Sequence, residues 1–359
     1  MAVVKVLSVV GARPQFVKLA PIAERLSISG DQHLIVHTGQ HYDVSMSDVF
    51  FEDLAIPEPD VHLGVGSGSH GVQTGGMLAA LDGVLDEHRP DVVLVYGDTN
   101  SNLAGAVAAV KMHLPVAHLE AGLRSFNRRM PEEHNRVLTD HASDLLLAPT
   151  EQAVRHLAAE GLASRVRLTG DVMADVCFRV RDRVREELPP FTEWRLPAEP
   201  YLVATLHRAE NTDDPARLRK LLDALDELPM PVVLLAHPRL VARRHDFGIT
   251  TSESVRWHPP LPYPQMVAAV LGSEGVVTDS GGLQKEAFLL ERRCITLRSE
   301  TEWPETLVGG WNVLAPDGER LDELVRRPAP DPEGQHRPYG DGDAAARVVD
   351  ALTTFLHDR

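Results

Sequence analysis

Cysteine is nearly missing from this chain. Cys177 and Cys294 are the only two in 359 residues, and their separation matches no metal-binding spacing. That argues against a disulfide framework and fits a reducing cytoplasm. Positive charge is outnumbered: 36 Lys and Arg stand against 52 Asp and Glu, for a net charge of −16. Such a balance gives no footprint for nucleic acid or an anionic membrane, so an anionic ligand needs a local basic pocket. No apolar run reaches the length of a membrane span. Val3–Val10 is apolar but short, and Arg13 follows at once, so it reads as a buried strand rather than a targeting segment. Short-period repeats and low-complexity tracts are absent, and so is the dinucleotide fingerprint. Gly64–Gly76 is rich in Gly, Ser and polar residues without that spacing or context, which argues against a Rossmann cofactor site. It predicts a mobile loop leading into a helix over Met77–His88.

What is present describes a globular protein, with 43% apolar and 25% charged residues. The length exceeds one ordinary core and predicts two domains. The chain is organised around one stretch. Val92–Tyr96 is an apolar run ending in Gly97-Asp98-Thr99-Asn100, Ser101–His113 has helical periodicity, and Pro115–Leu119 is a second run ending in Glu120-Ala121-Gly122. Strand, helix, strand is a βαβ unit with parallel strands. Asp98 and Glu120 then share the carboxyl edge of a sheet, where open α/β sheets bind ligands, and form a candidate acid/base pair. The structural alternative is that Asp98 caps the following helix and Glu120 pairs with Arg124 or Arg136. Upstream, Gly11-Ala12-Arg13-Pro14 is a turn between the first strand and a helix over Phe16–Leu26. Turns of this kind offer backbone N–H groups to anions, and Arg13 and Lys18 add charge suited to a phosphate. Pro131-Glu132-Glu133 reads as a helix start, which accounts for both acids structurally.

Leu188–Pro200 is rich in proline and suits an inter-domain connection. A second βαβ series follows, with polar groups again at strand ends: His207, Arg208, His237, Arg239, Ser280 and Arg298. Asp279-Ser280-Gly281-Gly282 before a helix offers donors and a positive dipole end to a phosphate. Glu286 lies about one turn into that helix, where it could accept from ribose hydroxyls. A last helix spans Ala344–Leu356. The predicted fold is α/β, with two Rossmann-like domains facing a central cleft. It is similar to the GT-B arrangement of nucleotide-sugar enzymes. We place the N-terminal domain at 1–173, the C-terminal one at 174–340, and a helix at 341–359 crossing back onto the first.

Seven segments carry a resemblance over nearly the whole length. They are GARPQFVKLAP from Gly11, VLVYGDTNSNLAGAVAA from Val93, PVAHLEAGLRS from Pro115, MPEEHNRVLTD from Met130, TLHRAENTD from Thr205, DSGGLQKEA from Asp279 and TEWPET from Thr301. In order and spacing the chain resembles the non-hydrolysing UDP-N-acetylglucosamine 2-epimerases. The resemblance implies inversion at C2 of the sugar by elimination of UDP to a 2-acetamidoglucal and re-addition, with no metal and no nicotinamide. It puts the acid/base carboxylates at Asp98, Glu120 and Glu132 and the catalytic histidine at His207. Contacts to UDP fall on Arg13, Lys18, His207, His237, Ser280, Gly281 and Gly282, with Glu286 at the ribose. The implied partners are a UDP-sugar and UDP, in a cytoplasmic homodimer without nucleic acid or membrane.

Three departures stand out. Gln15 replaces a common Glu. Gln40-His41-Tyr42-Asp43 and the arginine-free Gly66–Gly71 loop replace the residues by which regulated members bind a second substrate molecule. These variants, with Glu302-Trp303, also occur in relatives acting on UDP-2,3-diacetamido uronic acids, which is the alternative substrate class. Other readings are the hydrolysing variant, a GT-B glycosyltransferase with an acceptor site, and a non-catalytic nucleotide-sugar sensor. The hydrolysing proteins usually carry a kinase domain that this chain lacks, and a sensor is disfavoured by the intact acids.

Overall fold

In the computed structural model the described residues are 3–40, 57–187 and 196–359. The side chain of Arg13, the residues His41, Tyr42 and Asp43, and the 188–195 part of the proline-rich stretch lie outside them. The chain divides into two compact units, residues 1–176 with 337–359 and residues 177–336.

The first unit is built on a seven-stranded sheet: β1 (Lys5–Val10), β2 (Gln32–His37), β3 (Val61–His62), β4 (Val92–Tyr96), β5 (Val116–Leu119), β6 (Leu145–Ala148) and β7 (Val166–Leu168). The order is β3-β2-β1-β4-β5-β6-β7, and every pairing is parallel. Helices cover both faces, so the central strands are apolar throughout rather than alternating. Period-two geometry still sorts their side chains. Val6, Val10, Leu94, Tyr96, Ala117 and Leu119 go to one core, and Leu7, Val9, Val93, Val95 and Val116 to the other. The first core receives Ala344, Ala345, Val348 and Leu352 of the terminal helix Ala344–His357. That helix is capped from a distance: the Asp175 carboxylate accepts from the N–H groups of Ala344 and Ala345 at 3.0 and 2.8 Å. On the other face, helix Asn100–Lys111 lies close to the sheet because its residues are small. A Cβ on Gly105 would meet Val95 Cγ1 at 3.0 Å.

The expected loop over Gly64–Gly76 is shorter than predicted. A helix runs His70–His88, so Gly71, Gly75 and Gly76 are helical. Its buried residues, Gln73, Met77, Leu81 and Leu85, form one stripe at four-residue spacing that holds it to the core. Tertiary burial overrides the weak helix propensity of glycine.

The second unit carries a six-stranded parallel sheet: β8 (Leu202–Thr205), β9 (Val232–Leu235), β10 (Val255–His258), β11 (Gly275–Thr278), β12 (Cys294–Thr296) and β13 (Asn312–Leu314), ordered β10-β9-β8-β11-β12-β13. The sequence reading misses β13, whose three residues are too few to show a period. In both sheets the direction of winding reverses beside the first strand, between β1 and β4 and between β8 and β11. A doubly wound sheet leaves a ligand crevice at that switch point. The residues following β1, β4, β8 and β11 therefore stand at these switch points.

Candidate active site

In the first unit Gly11, Asp98 and Glu120 follow β1, β4 and β5. The β1 turn is closed by Gln15. Its Oε1 accepts from the N–H groups of Gly11 and Ala12 at 2.8 and 2.9 Å, and its Nε2 donates to the Tyr96 carbonyl at 2.9 Å. This corrects one expectation: those two N–H groups are taken internally and are not open donors for an anion. A glutamate could accept both bonds but could not donate to Tyr96, so Gln15 ties the β1 turn to the end of β4.

Lys18 projects from helix Arg13–Ser29 onto Glu120 and forms a buried ion pair with its Oε2. Burial opposes the ammonium charge, but Glu120, then Asp98 and Asp171, outweigh it and hold the Lys18 pKa above its ordinary value. Gly97, at φ 74°, permits this approach, since a Cβ there would meet Glu120 Oε2 at 3.1 Å and Lys18 Nζ at 3.2 Å. Glu120 is itself left-handed at φ 70°, a conformation that costs a non-glycine residue about 1 kcal/mol or more. Asp98 accepts from Arg136 Nη2 at 2.6 Å and keeps a side chain 34% exposed. Arg136 also holds Glu133 at 2.6 Å. Ser125 donates to Glu133 from its N–H and hydroxyl, both at 2.9 Å. Glu132 is half-buried at the start of helix Pro131–Ala142, and its side chain makes no hydrogen bond or ion pair with the described residues.

The structural alternative for the two acids thus changes partners. Thr99, not Asp98, caps helix Asn100–Lys111 by accepting from the Asn102 N–H. Glu120 pairs with Lys18, and it is Asp98 that pairs with Arg136. Arg124 turns instead to Asp140 and Glu160, each at 2.7 Å.

In the second unit His207 follows β8 and Asp279 follows β11. The strands are neighbours, with Thr205 opposite Thr278. His207 Nδ1 donates to Asp279 Oδ1 at 2.9 Å, while the His207 side chain is 44% exposed and Asp279 is buried. The same carboxylate accepts from the N–H groups of His207 at 3.1 Å and Arg208 at 3.0 Å and from Asn211 Nδ2 at 3.0 Å. Burial works against its charge, but His207, Asn211 and Arg208 hold the pKa below the usual carboxylate range. An ionised Asp279 fixes the proton on Nδ1 and leaves Nε2 of His207 as the ring nitrogen that it does not engage. The sequence reading places Asp279 only at the head of the Asp279–Gly282 phosphate stretch; its hold on His207 follows from the β8–β11 pairing.

Ser280 caps helix Gly281–Leu289, accepting from the Leu283 N–H at 3.3 Å. Gly281 is packed against Glu302, whose Oε1 would lie 2.7 Å from an added Cβ, whereas Gly282 is open. Arg298 is buried and donates to Glu302 Oε2 at 2.7 Å. Glu286 is buried in the same helix. Tyr263 and Cys177 lie near it: burial and then Glu286 push both the Tyr263 phenol and the Cys177 thiol up. His237 is exposed and caps helix Pro238–Asp246, its Nδ1 accepting from the Arg239 N–H at 3.2 Å. Among the described residues no group of three or more His, Cys, Asp or Glu could hold a metal ion.

The Asp279 contacts carry a pH signature. A carboxylate with a depressed folded pKa contributes stability that is complete above its unfolded pKa and is lost as pH falls through the folded value. We expect Asp279→Asn to lose about 2–3 kcal/mol at pH 7, because hydrogen bonds to a charged group are among the strong ones. Urea titrations should show the gap to the parent chain narrowing in acid; a pH-independent gap would mean that the carboxylate charge is not what matters.

With this geometry in view, comparison with known proteins is decisive. The model of the UDP-N-acetylglucosamine 2-epimerase family matches residues 25–353. The chain belongs to this family. The 2-epimerases are isomerases. This member is 43% identical over 364 residues to the UDP-2,3-diacetamido-2,3-dideoxy-D-glucuronate 2-epimerase of Pseudomonas aeruginosa, covering 97% of this chain and 99% of that one. It is 41% identical over 354 residues to a UDP-N-acetylglucosamine 2-epimerase homolog of Methanococcus maripaludis, with the same coverage of 97% and 99%. The solved Methanocaldococcus jannaschii UDP-GlcNAc 2-epimerase, in complex with UDP-GlcNAc and UDP, superposes with a TM-score of 0.88 at 38% identity, covering 98% of this chain and 99% of that one. Two parallel-sheet α/β units of GT-B type are the fold of this 2-epimerase family. No helix among the described residues is long and apolar enough to cross a membrane.

Proposed function

We propose that this chain interconverts UDP-N-acetylglucosamine and UDP-N-acetylmannosamine. A carboxylate takes the C2 proton, the C1–O bond breaks, and UDP leaves with the electron pair to give a 2-acetamidoglucal. A second acid then returns a proton to the opposite face of C2, and UDP adds back at C1. The observation that carries this reading is the cluster at the ends of β4 and β5, where Glu120 pairs with buried Lys18 and Asp98 with buried Arg136. A two-base inversion needs acids in unlike environments. Asp98 on Arg136, Glu120 on Lys18, and Glu132 without a partner among the described residues supply them. His207, oriented by Asp279, is assigned to the leaving diphosphate, with Arg13, Lys18, His237, Ser280, Gly281 and Gly282 as further UDP contacts and Glu286 at the ribose. The reading includes a cytoplasmic homodimer.

Proton NMR of the protein incubated with UDP-GlcNAc tests this directly, by the appearance of the manno configuration at C2. A specific observation favours a second reading: the identity to the Pseudomonas aeruginosa diacetamido-glucuronate 2-epimerase is as high as that to the acetylglucosamine homolog. Turnover of the diacetamido uronate alone would establish that substrate. Release of free N-acetylmannosamine would indicate the hydrolysing variant, and transfer to an acceptor a glycosyltransferase.

Regulation follows from two departures in sequence, Asp43, which lies outside the described residues, and the arginine-free 66–71 segment. We expect the reverse reaction to start from UDP-ManNAc alone. A lag abolished by trace UDP-GlcNAc would contradict that.

A further inference from the structure

One buried carboxylate reaches both turns that carry the candidate acids. Asp140, on helix Pro131–Ala142, is fully buried, as is His118 in the middle of β5. The first Asp140 oxygen, Oδ1, accepts from His118 Nδ1 at 2.7 Å. The other ring nitrogen of His118, Nε2, lies 2.7 Å from the Gly97 carbonyl, the peptide group that leads into Asp98. Asn102 Nδ2 donates to the same carbonyl at 2.5 Å. The second Asp140 oxygen, Oδ2, accepts from the Gly122 N–H at 3.2 Å, two residues past Glu120, and from Arg124 Nη1 at 2.7 Å.

These bonds are placed where the backbone most needs holding. Gly97, Glu120 and Gly122 all have positive φ, at 74°, 70° and 84°. Left-handed residues persist when the surroundings over-determine them. Here a single side chain constrains the turn after β4 through a histidine and the turn after β5 directly. Both side chains are fully buried, with Asn102 Nδ2 also 3.2 Å from His118 Nε2, so a bond lost here is not replaced by water and is costly. Both residues reach the backbone next to Asp98 and Glu120 rather than those side chains themselves.

We propose that Asp140 and His118 are positioning residues that lock the Asp98 and Glu120 turns to one another. The role in catalysis rests on the assignment of Asp98 and Glu120 as acid/base groups; the mechanical coupling of the two turns does not. Hydrogen–deuterium exchange over 97–103 and 119–125, with turnover and UDP titration, separates the two. Asp140→Asn and His118→Phe should raise exchange in both segments together. They should lower kcat by up to about a hundredfold, the scale of a 1 Å misplacement, while KM and UDP affinity stay within about twofold. His118→Gln, whose amide can still donate toward Gly97, should recover part of kcat. The Asp140→Asn, His118→Phe double variant should be little worse than either single one, because the residues act as one unit.

Exchange rising in only one segment, or in neither, overturns the coupling. Losses in kcat that multiply in the double variant, or variants that lower thermal stability while leaving turnover per folded molecule unchanged, overturn the positioning role. If His118→Phe does not fold, Asp140→Asn and His118→Gln decide the question alone. Parent protein that turns over no nucleotide sugar removes the catalytic assignment, and the exchange result then still decides the brace.

Discussion

Asp98→Asn is expected to lower turnover at least about a hundredfold, the usual scale for a positioned acid or base, and to leave the fold and UDP binding intact. The fold is expected to survive because an asparagine oxygen still accepts from Arg136, and Arg136 keeps its bond to Glu133. The backbone of residue 98 is held separately, by Asn135 Nδ2 on its carbonyl at 2.9 Å. What the substitution removes is a side chain able to take or return a proton. In the proposed reaction the C2 hydrogen, on the carbon that bears the acetamido group, is a weak acid, so its removal needs a placed base together with loss of UDP. In deuterium oxide the parent enzyme should form product carrying deuterium at C2, read by NMR. Product that retains its original hydrogen would replace elimination with an oxidation–reduction or internal-return route. Normal turnover by Asp98→Asn would reduce Asp98 to an anchor for Arg136.

Lys18→Met should be the most destabilising of these single changes. It leaves Glu120 in a site where the side chain is 10% exposed, without its ammonium partner. Breaking a buried pair in this way typically costs about 3–5 kcal/mol, because the remaining charge is uncompensated. The pH dependence has a definite sign. The folded pKa of Lys18 is raised, so in the parent chain its contribution is complete below the ordinary lysine value and is lost only as pH rises through the folded one. Adding Glu120→Gln should return much of the stability at pH 8 without restoring turnover. Urea denaturation at pH 8 reads both the deficit and its relief; no relief in the double variant would mean that Lys18 acts by packing its methylenes.

Much of this protein is readable from its residues in order. The buried parallel strands appear as short apolar runs, and Pro and Gly mark the turns between them, because burial on both faces of a sheet leaves no room for polar alternation. Asp98, Glu120, His207 and Ser280 were legible as strand-end groups for the same reason: each ends an apolar run in a βαβ pattern. Arg136 and Arg124 were recognisable as cations near an acid, but their true partners were not.

Partner choice came with the tertiary structure. Lys18 and Glu120 are 102 residues apart and meet across three adjacent strands, β1, β4 and β5. His207 and Asp279 are 72 apart and meet because β8 lies beside β11. Asp175 caps a helix 169 residues later. The first helical turn at His70 and the three-residue β13 likewise depend on what they pack against. Local sequence sets the type of an element through the period of its buried face and the chemistry of its ends. Which element lies beside which is settled only when the whole chain buries its apolar surface at once, and that adjacency decides which charges of this 2-epimerase neutralise one another and which remain for chemistry.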